Sequence, residues 1–416
     1  MNGTLITRQL ITALPLVCLA LASATGAKEI GPDSDLCAEI NGLPPGEELV
    51  LEPGEYEGPC AIRNGGTADE PLVIRAKDPA LRPRIVYMGS RANVLNIAAS
   101  YVTIRGLAFG PTLRDVDGIR VLSGDFVTVE DCEFEGLGGI AVVSNHRSSR
   151  GLTIRRNEVA NSRATAVYIG CHSGITCALD HVLVESNYIH GVNAPDPEIG
   201  YGIQIKLNSW GWVRDNVIMN TKGPGIMVYG SRTPGKVSVI ERNAVSGSRQ
   251  SAAIVVGGGP AIVRNNVVTD SAEGGIQLED YRKRGLLREI AIVHNTVYNN
   301  HTGGITLPRS APMTNIWIVN NTVHARPGMP PFPSPGNGLL SLGNANCSLA
   351  RCFRDPERRD FSPPPGSHLI GAAVPRFGSW MPRDDFTGAR RGAITSVGAF
   401  EGPAAPIPIG FKEIPR

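Results

Sequence analysis

The sequence predicts an all-β solenoid: one chain wound into about ten coils of short parallel strands around an internal ladder of asparagine side chains. The first observation is a segment of the form apolar-x-apolar-x-x-Asn-x-apolar. It recurs at Asn157, Asn187, Asn216, Asn243, Asn266, Asn295 and Asn321, and two earlier copies carry Leu107 and Cys132 at the Asn position. Successive copies lie 23 to 30 residues apart. The second is an alternating element, Gly-Ile-x-apolar, at Gly118, Gly139, Gly202, Gly225, Gly275 and Gly304, with weaker copies at Ala166 and Ala253. The third is turn chemistry: 49 Gly and 32 Pro in 416 residues mark a turn-rich chain, while 42% hydrophobic residues exclude disorder and Gly without a three-residue period excludes collagen.

Each repeated element is too short for a helix and alternates with period two, so each reads as a strand. A leucine-rich horseshoe would carry helical segments between its strands, and a propeller needs four antiparallel strands per blade. Stacked coils instead bring equivalent Asn residues to one bend, rung above rung. A side-chain amide both donates and accepts, so amides stacked at the ~4.8 Å strand spacing satisfy one another in a dry interior.

Residues 1–27 read as an export signal. Arg8 supplies the positive region, Leu10 to Ala22 is an apolar run interrupted only by Thr12 and Pro15, and small residues precede Lys28. The apolar run is too short to span a bilayer. The expected location is therefore secreted or periplasmic, without a membrane span. Seven Cys follow the signal, and their local spacing suits Cys37–Cys60, Cys171–Cys177 and Cys347–Cys352 bridges with Cys132 left over. Residues 28–46 are expected to cap the first coil, 47–325 to form the β-helix, 326–400 a Pro-rich excursion and last coil, and 401–416 a tail. A formal net charge of +2 excludes nucleic acid or an anionic membrane as a partner through bulk field.

With these elements in place the chain resembles the right-handed parallel β-helix superfamily, the pectate-lyase-like proteins, over roughly residues 48 to 400. The resemblance rests on the repeat, the opening segments Gly46 to Gly58 and Gly66 to Ala76, and the closing segments Asp385 to Arg390 and Val397 to Glu401. It implies an extracellular protein that handles polysaccharide and leaves the subfamily open. No Gly-His-Gly turn is present, and Asp196-Pro197-Glu198-Ile199 lacks the His of the epimerase Asp-Pro-His-Asp turn.

Strand alternation points the second and fourth residues of each Gly-Ile element outward. Down the coils the second position reads Arg120, Ala141, Tyr168, Gln204, Met227, Val255, Gln277 and Thr306, and the fourth includes Lys206, Tyr229, Gly257 and Glu279. Lys206, Tyr229 and Arg282 are the candidate catalytic residues of a lyase or C5-epimerase acting on a uronate-containing glycan. Lys206 would be the base and Tyr229 the acid, with Arg282 or Arg284 holding the carboxylate. His172, Gln204, Gln277, Glu279, Tyr281 and Arg284 are candidate substrate contacts, and Gly257-Gly258-Gly259 is expected to leave a trough between them. No motif demands a cofactor. Ca²⁺ is the metal that Asp196 and Glu198 would suit. The chain is expected to be a monomer with polysaccharide as its partner. The competing expectation is a non-catalytic periplasmic protein that binds glycan or assists polysaccharide assembly.

Overall fold

The computed structural model describes residues 26–348, 352–375 and 378–407. The expected signal peptide therefore lies outside the described residues, save Gly26 and Ala27. The chain forms three long parallel sheets of 13, 12 and 10 strands, numbered here in the order each coil visits them. The winding is a right-handed parallel β-helix of about 12 turns, somewhat longer than the ten expected.

The bend between sheets one and two sets the shape of the coil. The residue before each ladder position, from Asp131 to Asn320, is left-handed, with φ between 52° and 57°. Such a conformation costs a side-chain-bearing residue ~1 kcal/mol or more. Stacked amides offset it: Nδ2 of Asn157 donates to Asn187 Oδ1 at 3.0 Å, Asn187 to Asn216 at 2.9 Å, and Asn216 to Asn243 at 2.9 Å. The row continues through Asn266, Asn295 and Asn321 to Asn344, a final member that the repeat did not identify. Each Oδ1 also accepts the backbone N–H of the preceding rung, as Asn216 does from Asn187 at 3.0 Å. At the early rung where Cys132 replaces Asn, its N–H still reaches Asn157 Oδ1, and burial pushes the free thiol up to about 12.

Apolar residues from all three sheets fill the bore in one continuous core. Helix α1 (Leu36–Gly42), N-capped by Asp35, closes the first coil with Leu36 and Ile40 buried against that core. The Cys37–Cys60, Cys171–Cys177 and Cys347–Cys352 disulfides are all formed.

Sheet one carries a feature absent from the sequence reading. Its last position alternates in charge, rung by rung: Arg105, Glu130, Arg155, Glu185, Arg214, Glu241, Arg264. Glu130 is buried and takes Arg105, Arg155 and Arg156 as partners. Burial alone would raise its pKa, but hydrogen bonds from Arg155 and Arg105 outweigh that and hold it below the ordinary carboxylate value.

The last coil is formed by Leu339–Leu342 and Ala345–Asn346, inside the Pro-rich stretch, and Asp385 to Glu401 contributes no further rung. Residues 352–375 and 378–407 instead run back along the outer faces of sheets one and two. Asp385 folds that segment into its own tight turn by accepting from Thr387 and Ala389. Buried Arg391 pins the segment to Asn265 and to the carbonyls of Gly398 and Ala399, with Glu401 as its ion-pair partner.

Asn216→Ala removes three donated and two accepted hydrogen bonds from the interior. The expected loss is about 3 kcal/mol or more, read as a lower urea midpoint with the fold retained at low denaturant. For Glu130 the lowered folded pKa means that its contribution is present above the unfolded value of ~4.3 and lost as pH falls through the folded one. Glu130→Gln is expected to cost about 1–3 kcal/mol at pH 7 and to flatten the fall in stability below pH 4, measured by denaturant titration across pH.

Candidate active site

The outer face of sheet three gathers the candidate residues. Backbone pairing continues one residue past each strand, with Lys206 N–H on Ile169 O, Tyr229 on Ile205, Gly257 on Val228 and Glu279 on Val256. These four therefore occupy successive rungs, as the spacing implied. At ~4.8 Å per rung Lys206 and Glu279 are about 14 Å apart along the wall. One earlier copy is shifted. Val142, not Ile140, pairs with Ile119, so Val143 rather than Ala141 joins the outward row beside Arg120. The Ile140 amide is held in the bend by Asp117 Oδ1 at 2.8 Å.

This face is not open. Leu207, Met227, Tyr229, Val255 and Leu286 form a small second core outside the bore, with Tyr201 and Tyr281 packed against it. Lys206 is 4% exposed and Tyr229 2%. The three glycines leave no trough: a Cβ on Gly258 would sit 2.6 Å from Leu286 Cβ, and one on Gly259 would sit 1.9 Å from Arg288 O. The following coil packs directly onto Gly258 and Gly259, and Gly257 lies against Met227 and Tyr229 of the preceding coil.

Lys206 Nζ lies 4.7 Å from the ring centre of Tyr168 and 4.5 Å from that of Tyr229. His172 Nδ1 stands 3.5 Å away, brought there by the Cys171–Cys177 loop. Gly170 opens that loop at φ 91°, and a Cβ there would strike Ser209 Oγ at 2.2 Å. Among the described residues, no carboxylate pairs with Lys206. Burial, then the charges of Arg284 and Arg282, bring its pKa down to about 8. Burial first, then Lys206 and the two arginines, also lowers His172.

Tyr229 accepts from Gln204 Nε2 at 3.1 Å, is hydrogen-bonded to Tyr201, and meets Tyr281 edge to face at 4.8 Å. Burial pushes its phenol far above the ordinary value, and burial holds Tyr168 at about 12. Arg284 lies over the Tyr281 ring at 5.0 Å, and its buried Nη1 has no hydrogen-bond partner. Arg282 is exposed beside the same ring at 5.5 Å. Gln277 continues the outward row next to Val255. Glu279 is exposed, its carboxyl raised by desolvation and by Glu273. Tyr168 and Tyr201 are the members that sequence reasoning left without a role. Tyr168 already stood in the outward row, and its place one rung before Gln204 was the available signal.

Asp196 and Glu198 do not converge on this cluster. Asp196 Oδ1 pairs with buried Lys222 at 2.5 Å, and Glu198 pairs with Arg114 at 3.4 Å. Among the described residues, the one trio with ligand atoms close enough to share an ion is Cys347, Cys352 and His368, and its two sulfurs are joined in a disulfide.

A family model described as a right handed beta helix region matches residues 117–283 and again 180–353, together more than half of the chain. The chain belongs to the right-handed beta helix family. No curated protein matches it in sequence. Among solved structures, pectate lyase Pel9A aligns at a TM-score of 0.55 and 13% identity, covering 91% of this chain and 98% of its own. The A-module of mannuronan C-5 epimerase AlgE4 from Azotobacter vinelandii aligns at 0.51 and 14% identity, covering 76% and 92%. The Dettilon tailspike protein aligns at 0.52 and 15%, covering 73% and 61%. These likenesses are of fold, and fold alone does not set chemistry. Three disulfides fit an oxidising compartment, and no described helix is long and apolar enough to cross a membrane.

Lys206 is charged at a cost in this β-helix protein, because its folded pKa lies below the unfolded ~10.4. Between those values the unfolded chain binds more protons, so stability rises with pH there. Lys206→Met is therefore expected to raise the melting temperature at pH 7 by a few degrees. The advantage should shrink between pH 8 and 10 as the native lysine neutralises, followed by calorimetry at both ends of that range.

Proposed function

We propose that the chain is an exported, monomeric polysaccharide-acting enzyme, a lyase or C5-epimerase on a uronate-containing glycan, with Lys206 as its base. The reading is carried by one observation: a buried ammonium with no carboxylate partner, set between two tyrosine rings beside two arginines. Such an amine loses its proton near neutral pH, which suits removal of the weakly acidic proton beside a uronate carboxylate. The Lys206 Nζ lone pair takes that proton, and the C–H electrons pass into the carboxylate as an enolate. Arg282 and Arg284 offset the added charge, and the free Nη1 of Arg284 is the available donor. In a lyase the electrons return to expel the glycosidic oxygen at the β-carbon, leaving a double bond, and Tyr229 supplies the proton to that oxygen. In an epimerase a proton returns to the same carbon from the opposite face. A pectate lyase and a mannuronan epimerase share the fold, which raises the prior for this chemistry as analogy.

Burial of Lys206 and Tyr229 favours a second reading, a non-catalytic protein that binds glycan or assists its assembly. The two separate in one assay: the full chain is incubated with pectate, alginate and glucuronan, with absorbance of the unsaturated product and exchange of the uronate C5 proton followed by NMR. The first reading expects turnover on at least one polymer, a fall of 10²-fold or more in Lys206→Ala, and a rate that climbs with pH to a plateau above about 8. Binding without turnover, or an active Lys206→Ala protein, rejects it.

A further inference from the structure

A cavity of about 310 Å³ lies on the outer face of sheet two, a different face of the solenoid from Lys206. Pairing register explains it. Successive rungs place Met219, Ser246, Thr269 and Tyr298 side by side, so two small residues stand between two large ones. Val217, Ala244 and Val267 make the floor on the neighbouring row. The returning C-terminal segment supplies the roof through Arg359, Phe361 and Ile407.

The polar groups around this apolar floor have capacity to spare. Among the described residues Arg359 has no ion-pair partner, and its two Nη atoms rest on Met219 Sδ at 3.6 and 3.5 Å, a weak acceptor for five N–H donors. Thr269 donates to Ser246 at 3.0 Å, which leaves the Ser246 proton for another acceptor. Asp270 uses one carboxylate oxygen on Asn299 at 2.6 Å. The Tyr298 ring forms a wall, fixed by a stacked His324 at 4.9 Å and by Phe353 edge-on at 5.7 Å.

We propose that this cavity binds a neutral sugar ring, forming a second glycan site independent of the chemistry at Lys206. A pyranose offers an apolar face to Met219, Val267 and Tyr298, and hydroxyls that both donate and accept to Arg359, Asp270 and Ser246. Two carboxylates, Asp270 and Glu357, face the cavity against a single arginine, which disfavours an acidic sugar. The site would hold a glycan at a distance from the reacting unit and keep the enzyme on a chain that mixes neutral and acidic residues.

The test uses the full chain with neutral trisaccharides of glucose, galactose and mannose, by saturation-transfer NMR and calorimetry. At least one is expected to bind. Ser246→Phe, which fills the cavity, should weaken that binding at least tenfold, and the surface change Arg359→Ala about fivefold, with circular dichroism unaltered. Lys206→Ala should retain it, which separates failure here from failure of the proposed reaction. The proposal is overturned if none of the three binds, if both cavity variants bind as the parent does, or if a uronate trisaccharide takes this site more tightly than any neutral one.

Discussion

The bend between sheets one and two is the constraint on which the rest of the structure depends. A left-handed residue there turns the chain in a single step and leaves a backbone N–H facing inward with no strand to receive it. The next rung's Asn Oδ1 accepts that N–H, and the same amide's nitrogen passes the pattern onward. Strain and satisfaction are thus coupled at one pair of residues, repeated along the tube. Because each amide locks to the next, a coil that slipped by one residue would lose its interior hydrogen bonds as well as its apolar match.

That lock gives the outer faces their order. Residues in equivalent positions become neighbours at the strand spacing, so small differences in side-chain choice are read out as surface features. On sheet one the choice alternates in sign and yields a charge ladder whose first carboxylate, Glu130, is buried under three arginines. Sheet two sets two small residues between two large ones and gains a cavity. On sheet three the choice is aromatic and aliphatic around a lysine, which turns an expected solvated wall into a second, smaller core.

Much of this was legible because a periodic bend leaves a periodic trace. Seven Asn at matched offsets, and branched aliphatics on either side, identify both the winding and the residues that share a rung. The trace ends where the period does. Asn344 follows Gly343 in a Pro-rich stretch without a strong flanking strand pattern, so it reads as loop although it closes the ladder. Gly139 matches the Gly-Ile motif, yet Asp117 captures the next amide and delays the strand by two residues. The glycine triplet reads as missing side chains, whereas in the fold it is what admits Leu286 and Arg288 from the following coil. Exposure on sheet three was misjudged for the same reason. Alternation tells which way a side chain leaves the sheet, and only tertiary structure tells what lies over it. The returning segment has no repeat at all, being organised around buried Arg391.

The contrast between Lys206 and Lys222 weighs on what the site is for. Both are buried on the outside of the solenoid. Lys222 is answered in the ordinary way, by Asp196 at 2.5 Å and the Glu198 carbonyl at 2.6 Å, and so ties down the 191–201 loop. Lys206 has two ring faces and an imidazole, with arginines rather than acids nearby, and its pKa falls to about 8. A lysine kept only to pack against Tyr168 and Tyr229 would be better replaced by an aliphatic chain of similar length, since the charge then costs stability without return. Elsewhere in the same fold buried charge is matched: Glu130, Glu241 and Arg391 each have ion-pair partners. An unmatched ammonium held in place by a disulfide-closed loop is the kind of local inconsistency that a binding or reacting anion resolves.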